Sequence, residues 1–552
     1  MNRIGRALLD LAPRISDYAA LPRTWRGDLS AGITVGVVAL PLALAFGVSS
    51  GVGPEAGLIT AIVAGLVAAI FGGSHVQVSG PTGAMVVVLA PTVATHGVGS
   101  VPILAVMAGV ILIVVGATRF GRAVSFIPWP VVEGFTVGIG TIIFLQQVPL
   151  ALSAHVDHAQ NTVVAAYRAV VEAAWPDALV TVGIVVLVAV VMLVVPRIHA
   201  ALPGSLIAIV IVTVAVDLLD IRAPRLGALP ESLPTPSLPS IGLSTMPSLV
   251  GPAFAIAALA GIESLLSARV ASGIAGPGGR TTGPYNPDRE LVGQGLASIA
   301  SGMFGGLPAT GAIARTNVAV RSGARTRVAA VVHALVLVAV IYLASGLVGR
   351  IPLASLAGVL MVTAARMVSI PIGRRVLGST RSDAIAYVLT ALVTISFDLI
   401  VAIEIGVVGA GILTLRKLAR LGGVRRESIT GTAQPGDDRI VIFRLDGLMF
   451  FGAAERILHE LTDVGEVSVV VLRLSQLRYL DATGAQALVE VIRALEQRGI
   501  TVLLKGVRDE HLMLVRRVGV IAELRHHKHL FTTLDDAVAH ARDHVARIGA
   551  AA

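Results

Sequence analysis

The sequence predicts a polytopic α-helical membrane protein that carries a soluble α/β domain at its carboxyl end. Hydrophobic residues make up 55% of the 552 residues and charged residues only 14%, whereas soluble chains carry about 25% charge. The stretch from 29 to 118 holds a single formal charge, Glu55. Residues 431–552, by contrast, contain 15 Lys and Arg and 16 Asp and Glu, which is a soluble composition.

Basic residues gather at the two ends of the apolar part and predict its orientation. One group precedes the first apolar run and the other follows the last: Arg3, Arg6, Arg14, Arg23 and Arg26, then Arg416, Lys417, Arg420, Arg425 and Arg426. Because such clusters stay on the cytoplasmic side, we expect both termini in the cytoplasm, an even number of spans and residence in the cell (inner) membrane. The position of these basic clusters at the membrane edges explains the net charge of +9. We therefore expect membrane lipid, and no nucleic acid, as a partner.

Twelve apolar segments approach the length that spans a bilayer. They lie at 31–49, 56–72, 101–118, 131–151, 178–195, 201–218, 249–270, 291–305, 328–347, 352–370, 383–397 and 400–415. Two shorter apolar stretches, 82–95 and 311–320, each follow a Gly/Pro-rich segment and predict broken helices. The total is fourteen segments in two halves of seven. The expected parts of the chain are a cytoplasmic segment 1–30, a membrane domain 31–420 with halves at about 31–220 and 248–420, a linker 421–438 and a domain 439–552.

The two broken segments resemble each other and occupy the same place in each half. Phe71–Gly73 and Pro81–Ala84 precede the first short stretch, and Phe304–Gly306 and Pro308–Ala312 precede the second. Each is the third element of its half. Paired, interrupted hydrophobic segments in matching positions point to the binding site of a transporter. A chance match between two Gly-rich loops is the alternative.

Two half-helices that start in mid-membrane would form an anion site. Each helix N-terminus offers unpaired N–H groups and roughly half a positive charge, and an anion satisfies both. Gly83 and Gly311 permit close approach of the backbone, and Thr82 and Thr310 add hydroxyl groups. Arg315 would add a full positive charge about one turn further on, unless it snorkels to the membrane surface.

Glu263 is the second expected functional residue of the membrane part. It lies deep inside the apolar segment 249–270, and an acidic residue within a span points to function. Ser267 follows at i+4 on the same face. Glu263 could bind H⁺ or Na⁺, pair with Arg315, or serve only as a structural ion pair. In the first span Phe46 follows the helix-kinking Pro41 and could line the pocket or face lipid.

The carboxyl-terminal part alternates strands and helices, the pattern of an α/β layer fold. Strands are predicted at 440–445, 467–474 and 501–505, and helices at 453–463, 485–498, 509–517 and 533–547. Asp481 can cap the helix that follows it. The chain has no cysteine, which excludes thiol catalysis, and it has no phosphate-binding loop of the Walker type, so ATP-driven transport is not expected. We expect a protein that is not an enzyme and that has no cofactor besides a coupling ion.

These features resemble the SulP family of anion transporters, the sulfate-permease-like group. The resemblance rests on Leu40–Gly47, Ser79–Ala84, Gly261–Ser267, Asn286–Gly295 and Pro308–Arg315, and on a carboxyl-terminal domain similar to STAS. It implies two inverted seven-helix repeats divided into core and gate domains, an elevator movement of one against the other, and a homodimer.

The resemblance also implies which residues bind the anion and the coupling ion. The anion would lie beside Phe46 and between two helix starts: Thr82, Gly83, Ala84 and Met85 on one side, and Gly311, Ala312, Ile313, Ala314 and Arg315 on the other. Glu263 matches the acidic position that couples transport to a cation. A Na⁺-coupled member of the family has Asp there with Thr four residues on. The longer Glu263 with Ser267 favours H⁺, while Na⁺ would require Glu263, Ser267, Thr310 and backbone carbonyls.

Several functional alternatives remain open at this point. Backbone donors and one arginine select charge and size, so bicarbonate and a C4-dicarboxylate rank close together and sulfate follows. A nucleobase permease or a non-transporting membrane sensor are alternatives of another class. Thr483 occupies the loop where some STAS relatives carry a phosphorylatable serine, which makes it a candidate regulatory phosphosite, and the domain could bind a cytoplasmic regulatory partner.

Overall fold

A computed structural model gives the architecture of the chain. It describes residues 12–121, 128–154, 161–175, 177–198, 202–229, 232–239, 246–274, 276, 281–396, 405, 408–409, 411–412, 415, 423–429, 432–450 and 467–551. The chain divides into two compact units, Met1–Val407 and Val408–Ala552.

The first unit is helical. Its described helices are α1 Leu21–Ser49, α2 Pro54–Phe71, α3 Gly83–His96, α4 Ser100–Ala117, α5 Trp129–Ala151, α6 Thr162–Val171, α7 Asp177–Ile198, α8 Gly204–Leu218, α9 Met246–Gly273, α10 Pro287–Met303, α11 Ile313–Arg321, α12 Val328–Val348, α13 Leu353–Met367, α14 Ile370–Leu377 and α15 Arg381–Ser396. Eight of the described spans are long and apolar enough to cross a membrane. The predicted polytopic helical fold is confirmed, and the predicted segment 400–415 lies largely outside the described residues.

The tightest packing within this unit falls into two groups of helices. In one group α10 packs on α4 and α2, and α12 packs on α1; in the other, α5 packs on α13 and α15, and α7 packs on α8 and α13. A large apolar core joins them, with many small residues that let the backbones approach closely. This grouping matches the expected separation into two bodies, and the first broken helix lies where the two groups meet, since α3 contacts α5 as well as α9.

Helix α1 starts about ten residues before the predicted span, because Asp28, a polar residue in its first turns, is hydrogen-bonded by other residues of the same unit. The Asp28 side chain is completely buried. It accepts hydrogen bonds from the backbone N–H groups of Arg325 at 2.6 Å and Thr326 at 2.9 Å. It also accepts one at 2.8 Å from the Thr326 hydroxyl. Part of the segment 1–30 therefore packs into the helical unit.

Two short helices were missed by the sequence analysis. Helix α6 lies between predicted spans, and α14 occupies the end of the predicted span 352–370 and the residues after it. Both are amphipathic and too short to cross a bilayer, so a search for long apolar runs passes over them.

The second unit is an α/β sandwich, as predicted. Its described elements are β3 Gly423–Glu427, β4 Ile440–Met449, β5 Val469–Arg473, β6 Leu477–Leu480, α16 Ala482–Gln497, β7 Thr501–Lys505, α17 Asp509–Val518, β8 Leu530–Phe531 and α18 Leu534–Ala551. The strand order is β3-β4-β5-β7-β8, with β6 beside β4. The β4–β5, β5–β7 and β7–β8 pairs are parallel. The predicted helix 453–463 lies outside the described residues.

The sheet begins inside the segment that the sequence analysis assigned to the linker. Strand β3 pairs antiparallel with β4. It has no alternating apolar pattern of its own, and ion pairs along the edge support it: Glu427 contacts Arg444 at 2.8 Å and Arg473 at 2.9 Å. At the other end of the domain, Asp481 caps α16 as predicted, accepting a 2.7 Å hydrogen bond from the N–H of Gly484.

Candidate functional site

The two broken helices are joined by a short antiparallel ribbon. Strand β1, Ser79–Gly80, pairs with β2, Thr310–Gly311, so that Ser79 lies opposite Gly311 and Gly80 opposite Thr310. Helix α3 starts three residues after β1, and α11 starts two residues after β2. Because the strands are antiparallel, both helices begin at the ribbon and leave it in opposite directions. The two predicted N-termini are therefore brought together.

Neither helix start is capped by its own side chain. Thr82 and Ala312, the residues before the first turns, make no side-chain cap. The first N–H groups of a helix have no intrahelical acceptor. The ribbon therefore presents two sets of donors, Gly83 to Met85 and Ile313 to Arg315, each with its partial positive charge.

The two helix starts differ in their surroundings. Gly83, Ala84 and Met85 are buried. A Cβ atom added at Gly83 would lie 2.2 Å from Cδ1 of Ile143 and 3.3 Å from the ring of Phe46. Ile313 and Ala314, by contrast, are exposed. Phe46 and Ile143 thus close the site over α3, while the α11 side is accessible.

Arg315 crosses from α11 to the other half of the ribbon. Its side chain is 2% exposed, and its Nη2 donates a hydrogen bond to the carbonyl oxygen of Pro81. Its Nη1 is buried and has no hydrogen-bond partner among the described residues. A snorkelling arginine would reach the membrane surface, so burial at the ribbon favours the functional interpretation. The guanidinium group of Arg315 adds a full positive charge beside the two helix starts.

Glu263 on α9 reaches the same place from the side. Its Oε2 accepts a hydrogen bond of 2.9 Å from the Thr82 hydroxyl, and the residue is half-buried. Within the described part of the chain, Glu263 and Arg315 form no ion pair within 4.0 Å. The site therefore holds one basic and one acidic side chain that are separately bonded, Arg315 to Pro81 and Glu263 to Thr82.

The hydroxyl groups around Glu263 are not placed as expected for a cation site formed with Ser267 and Thr310. Ser264, rather than Ser267, lies beside Thr310, with 2.9 Å between the two hydroxyl oxygens. Ser264 also accepts a 2.9 Å hydrogen bond from the N–H of Gly311. Ser267 donates instead to Thr316 at 3.2 Å. Ser264 was not among the predicted site residues, although it directly follows Glu263 in the sequence.

A buried polar network on α10 holds the first strand of the ribbon. Glu290 accepts hydrogen bonds from the N–H groups of Gly73 at 2.7 Å and Ser74 at 2.9 Å. It also accepts from the side chains of Gln77 at 2.8 Å and Gln294 at 2.9 Å.

The same network reaches β1 directly. Gln294 donates to Ser79 at 2.6 Å, and Ser79 belongs to β1. Sequence analysis assigned no role to Glu290 or Gln294, although both lie in the motif Asn286–Gly295. Their role is to fix the ribbon, and with it both helix starts.

A cavity of about 400 Å³ lies beyond the closed side of the site. It is bordered by the end of α1, the second half of α3 and the end of α5, with lining residues that include Ser49, Pro91, Gln146 and Gln147. Ser49 donates to Gln147 at 3.2 Å across it. Phe46 and Ile143 lie on the same helices, α1 and α5, as this lining. The cavity and the closed side of the site are therefore bordered by the same two helices.

Comparisons with known proteins agree with this arrangement. Residues 25–390 match the model of the sulfate permease family, and residues 433–537 match that of the STAS domain. The chain is 31% identical over 510 residues to the putative sulfate transporter YvdB of Bacillus subtilis, which covers 90% of this chain and 94% of the relative. It is 32% identical over 513 residues to the bicarbonate transporter BicA of Synechocystis, with 88% of each covered.

A solved structure extends the comparison to the whole fold. The structure of SLC26A9 superposes with a TM-score of 0.83 at 14% identity, covering 98% of this chain and 94% of that one. At that identity the likeness concerns the fold. The family-model match, the two relatives and the paired half-helices lead to one conclusion: the chain belongs to the sulfate permease family and carries a STAS domain.

Proposed function

We propose that this chain is a secondary active transporter that carries a small anion together with a cation. The observation that supports it best is the β1–β2 ribbon, which gathers two helix N-termini, the buried Arg315 and the Thr82–Glu263 pair at one place. The donors fit an anion, and the acid fits a coupling cation. Both named relatives are described as anion transporters.

The charges of the site determine the net charge of the occupied carrier for each kind of anion. Arg315 and ionised Glu263 cancel in the empty carrier. Adding a monovalent anion and one monovalent cation leaves the site neutral, which lowers the cost of moving it through a region of low dielectric. A divalent anion with one cation would leave a net charge of one, so its uptake would respond to membrane potential.

Geometry favours H⁺ over Na⁺ as the coupling ion. Na⁺ would require several oxygen ligands around Glu263. Of the residues predicted for that role, Thr310 is bonded to Ser264 and to the carbonyl oxygen of Ala260, and Ser267 is bonded to Thr316. A proton requires only the carboxylate and an acceptor or donor beside it, and Thr82 supplies the hydroxyl.

The identity of the coupling ion limits which anion the carrier could accumulate. Bicarbonate plus a proton is equivalent to carbon dioxide plus water, and carbon dioxide crosses bilayers unaided. Symport of bicarbonate with H⁺ would therefore accumulate nothing beyond that equilibrium. If H⁺ is the coupling ion, the substrate that the carrier can accumulate is a C4-dicarboxylate. Sulfate is the second candidate, because the Bacillus relative is named a putative sulfate transporter. Bicarbonate, named for the Synechocystis relative, would require Na⁺.

We further propose an elevator movement and a cytoplasmic position of both termini. The helix group that carries the half-helices would move against the group around α5, with Phe46 and Ile143 separating at each cycle. Basic residues around the start of α1 and the end of α11 lie at one end of this unit, because Asp28 binds the N–H groups of Arg325 and Thr326. This end is the cytoplasmic one by the positive-inside rule.

The STAS domain is proposed to regulate transport and to assist assembly of a homodimer. Thr483 is exposed in the first turn of α16, two residues after the capping Asp481. A phosphate there would lie at a helix N-terminus, where negative charge is stabilised. The domain could then bind a cytoplasmic regulatory partner according to its phosphorylation.

Uptake into liposomes that contain the purified full-length protein tests the proposed function. Labelled succinate, sulfate and bicarbonate are offered under an inward pH gradient, and separately under an inward Na⁺ gradient at equal pH. We expect the pH gradient to drive accumulation of succinate, with sulfate next. Stimulation by Na⁺ alone, with bicarbonate as substrate, would overturn the H⁺ assignment. Uptake of a nucleobase instead of these anions, or no uptake at all, would overturn the anion-transport proposal.

A further inference from the structure

A group of three histidines lies in the STAS domain, outside the proposed anion site. One ring nitrogen from each of His529, His540 and His544 lies within 4.8 Å of one from each of the others. The ring centroids are 5.4 Å apart for His529 and His540, 5.4 Å for His529 and His544, and 5.0 Å for His540 and His544.

The fold holds the three rings together from two separate elements. His540 and His544 are four residues apart on α18, so both side chains point from one face of that helix. His529 ends the 3₁₀ turn His527–His529, directly before β8. Strand β8 is fixed by parallel pairing with β7, and α18 packs on β5 and β7. The cluster therefore bridges the last strand of the sheet and the last helix.

The cluster contains polar atoms that the described residues leave without a partner. Nδ1 of His529 and Nε2 of His540 are buried and accept or donate no hydrogen bond among the described residues. His529 is only 4% exposed. A buried polar atom without a partner costs free energy, and edge-to-face stacking of the rings does not supply the missing bond. A ligand that accepts the nitrogen lone pairs would.

The surroundings of two of the three rings, His529 and His544, disfavour a positive charge. Burial lowers the pKa of His529 to about 4, with His544, His540, His526 and Arg525 adding to the shift. Burial also lowers the pKa of His544, assisted by Arg547, His540 and Arg525 against the opposite effect of Asp543. Metal ions bind the neutral form of imidazole, which is the form that this direction of shift favours.

We propose that His529, His540 and His544 bind a first-row transition-metal ion, with Zn²⁺ as the representative. Imidazole nitrogens suit Zn²⁺, Cu²⁺ and Ni²⁺, whereas Mg²⁺ and Ca²⁺ prefer oxygen. Two histidines at i and i+4 on a helix form an established chelating pair. Zn–N bonds of about 2.0–2.1 Å place tetrahedral ligand atoms roughly 3.3 Å apart, so the rings need to turn inward by about 1 Å.

The remaining coordination position is left to water or to His526. The His526 ring centroid is 6.0 Å from that of His529, and its Nδ1 already accepts a hydrogen bond from the N–H of Lys528. Bound metal would tie the turn before β8 to α18 and so stabilise the carboxyl-terminal end of the domain. This proposal does not depend on which anion the membrane unit carries.

Metal titration of the full-length protein tests the site. The protein is purified with an affinity tag that contains no histidine, stripped with EDTA, and titrated with ZnCl₂ by calorimetry. We expect saturable binding of one Zn²⁺ per chain. The double variant His540→Gln/His544→Gln should bind at least about 100-fold more weakly, a loss larger than that of outer-shell groups. The matched control, His96→Gln, removes an exposed histidine of the helical unit and should bind as the original chain does.

A second measurement keeps the test informative if the double variant fails to fold. Co²⁺ bound to the unaltered protein should give the intense visible absorption of four-coordinate cobalt with nitrogen ligands. Absence of saturable Zn²⁺ binding, or a Co²⁺ spectrum of the hexa-aqua type, would overturn the proposal. So would equal Zn²⁺ affinity in the folded double variant and the unaltered chain.

Discussion

The hydroxyl group of Thr82 donates a hydrogen bond of 2.9 Å to Oε2 of Glu263. Thr82 is the residue before the first turn of α3, and Glu263 lies within α9. The bond therefore connects the start of one half-helix to the acid proposed to bind the coupling cation. Through this bond, occupancy of the anion site and protonation of Glu263 can influence each other.

The first prediction concerns that bond. Thr82→Val keeps the side-chain shape and removes the donor to Glu263. We expect anion affinity to fall about tenfold, because loss of a hydrogen bond to a charged group costs roughly 1.5–3 kcal/mol and part of that cost is recovered by relaxation. Equilibrium binding of labelled succinate to the purified protein measures the change.

Thr92→Val is the matched control for this measurement. Thr92 lies on the same helix and is also buried, but its hydroxyl bonds the carbonyl oxygen of Val88 one turn earlier. It should leave affinity unchanged. Equal affinities for the Thr82 variant and the unaltered protein would contradict a role for the Thr82–Glu263 bond.

The second prediction concerns the closed side of the site. Gly83→Ala places a methyl group 2.2 Å from Cδ1 of Ile143. Overpacking costs roughly 1–3 kcal/mol, so transport should fall about tenfold. The second substitution Ile143→Ala should restore much of it. Gly183→Ala, where an added Cβ meets nothing within 4 Å, is the control. Failure of Ile143→Ala to rescue would contradict the proposed contact between the two bodies.

The third prediction concerns pH and the STAS domain without metal. The pKa of His529 is lowered from 6.5 to about 4 in the folded domain. Between pH 6.5 and about pH 4, His529 is protonated in the unfolded chain and neutral in the folded domain. Stability is therefore full above pH 6.5 and is lost as pH falls toward 4. Hydrogen exchange over 530–551, corrected for the intrinsic pH dependence of exchange, should accelerate from pH 7 to pH 5.

His529→Phe should reduce this pH dependence, and the part that remains comes from His544, whose pKa is also lowered by burial. The phenyl ring keeps an aromatic side chain beside His540 and His544 but takes up no proton. The other groups that face His529 are His526 and Arg525, and both remain in the variant. An undiminished pH effect in the variant would show that a different group is responsible.

The fourth prediction concerns the separation of the two units. A chain truncated before Gly423 loses the whole sheet of the STAS domain, including β3. We expect it to insert, to bind anion with unchanged affinity and to transport more slowly, because the proposed binding residues all belong to the first unit. A truncated chain that inserts and folds but binds no anion would contradict the assignment of the site to the membrane unit.

The sequence was sufficient for the features that depend on local chemistry. Pro81, Gly83 and their counterparts Pro308 and Gly311 marked the broken helices, because interruptions of an apolar run are visible without knowledge of packing. The structure does place the two helix starts together. Strand alternation likewise identified most of the α/β domain, and Asp481 was recognised as a cap.

Features that depend on which helix face meets which neighbour could not be predicted in the same way. Helix α9 carries small and apolar residues nearly all round, so the i+4 rule selected Ser267, while the position of the ribbon made Ser264 the partner of Thr310. Glu290 contacts Gly73 and Ser74, more than two hundred positions away in the chain. No local pattern contains that information.

Accumulation by a Glu263→Gln variant in liposomes tests the central claim most directly. Glutamine mimics the protonated acid, so we expect binding and exchange of labelled succinate to persist while accumulation under an inward pH gradient is lost. Glu55→Gln, which alters an exposed acid at the start of α2, should accumulate succinate as the unaltered protein does. Undiminished gradient-driven accumulation by the Glu263→Gln protein would contradict the assignment of cation coupling to this residue.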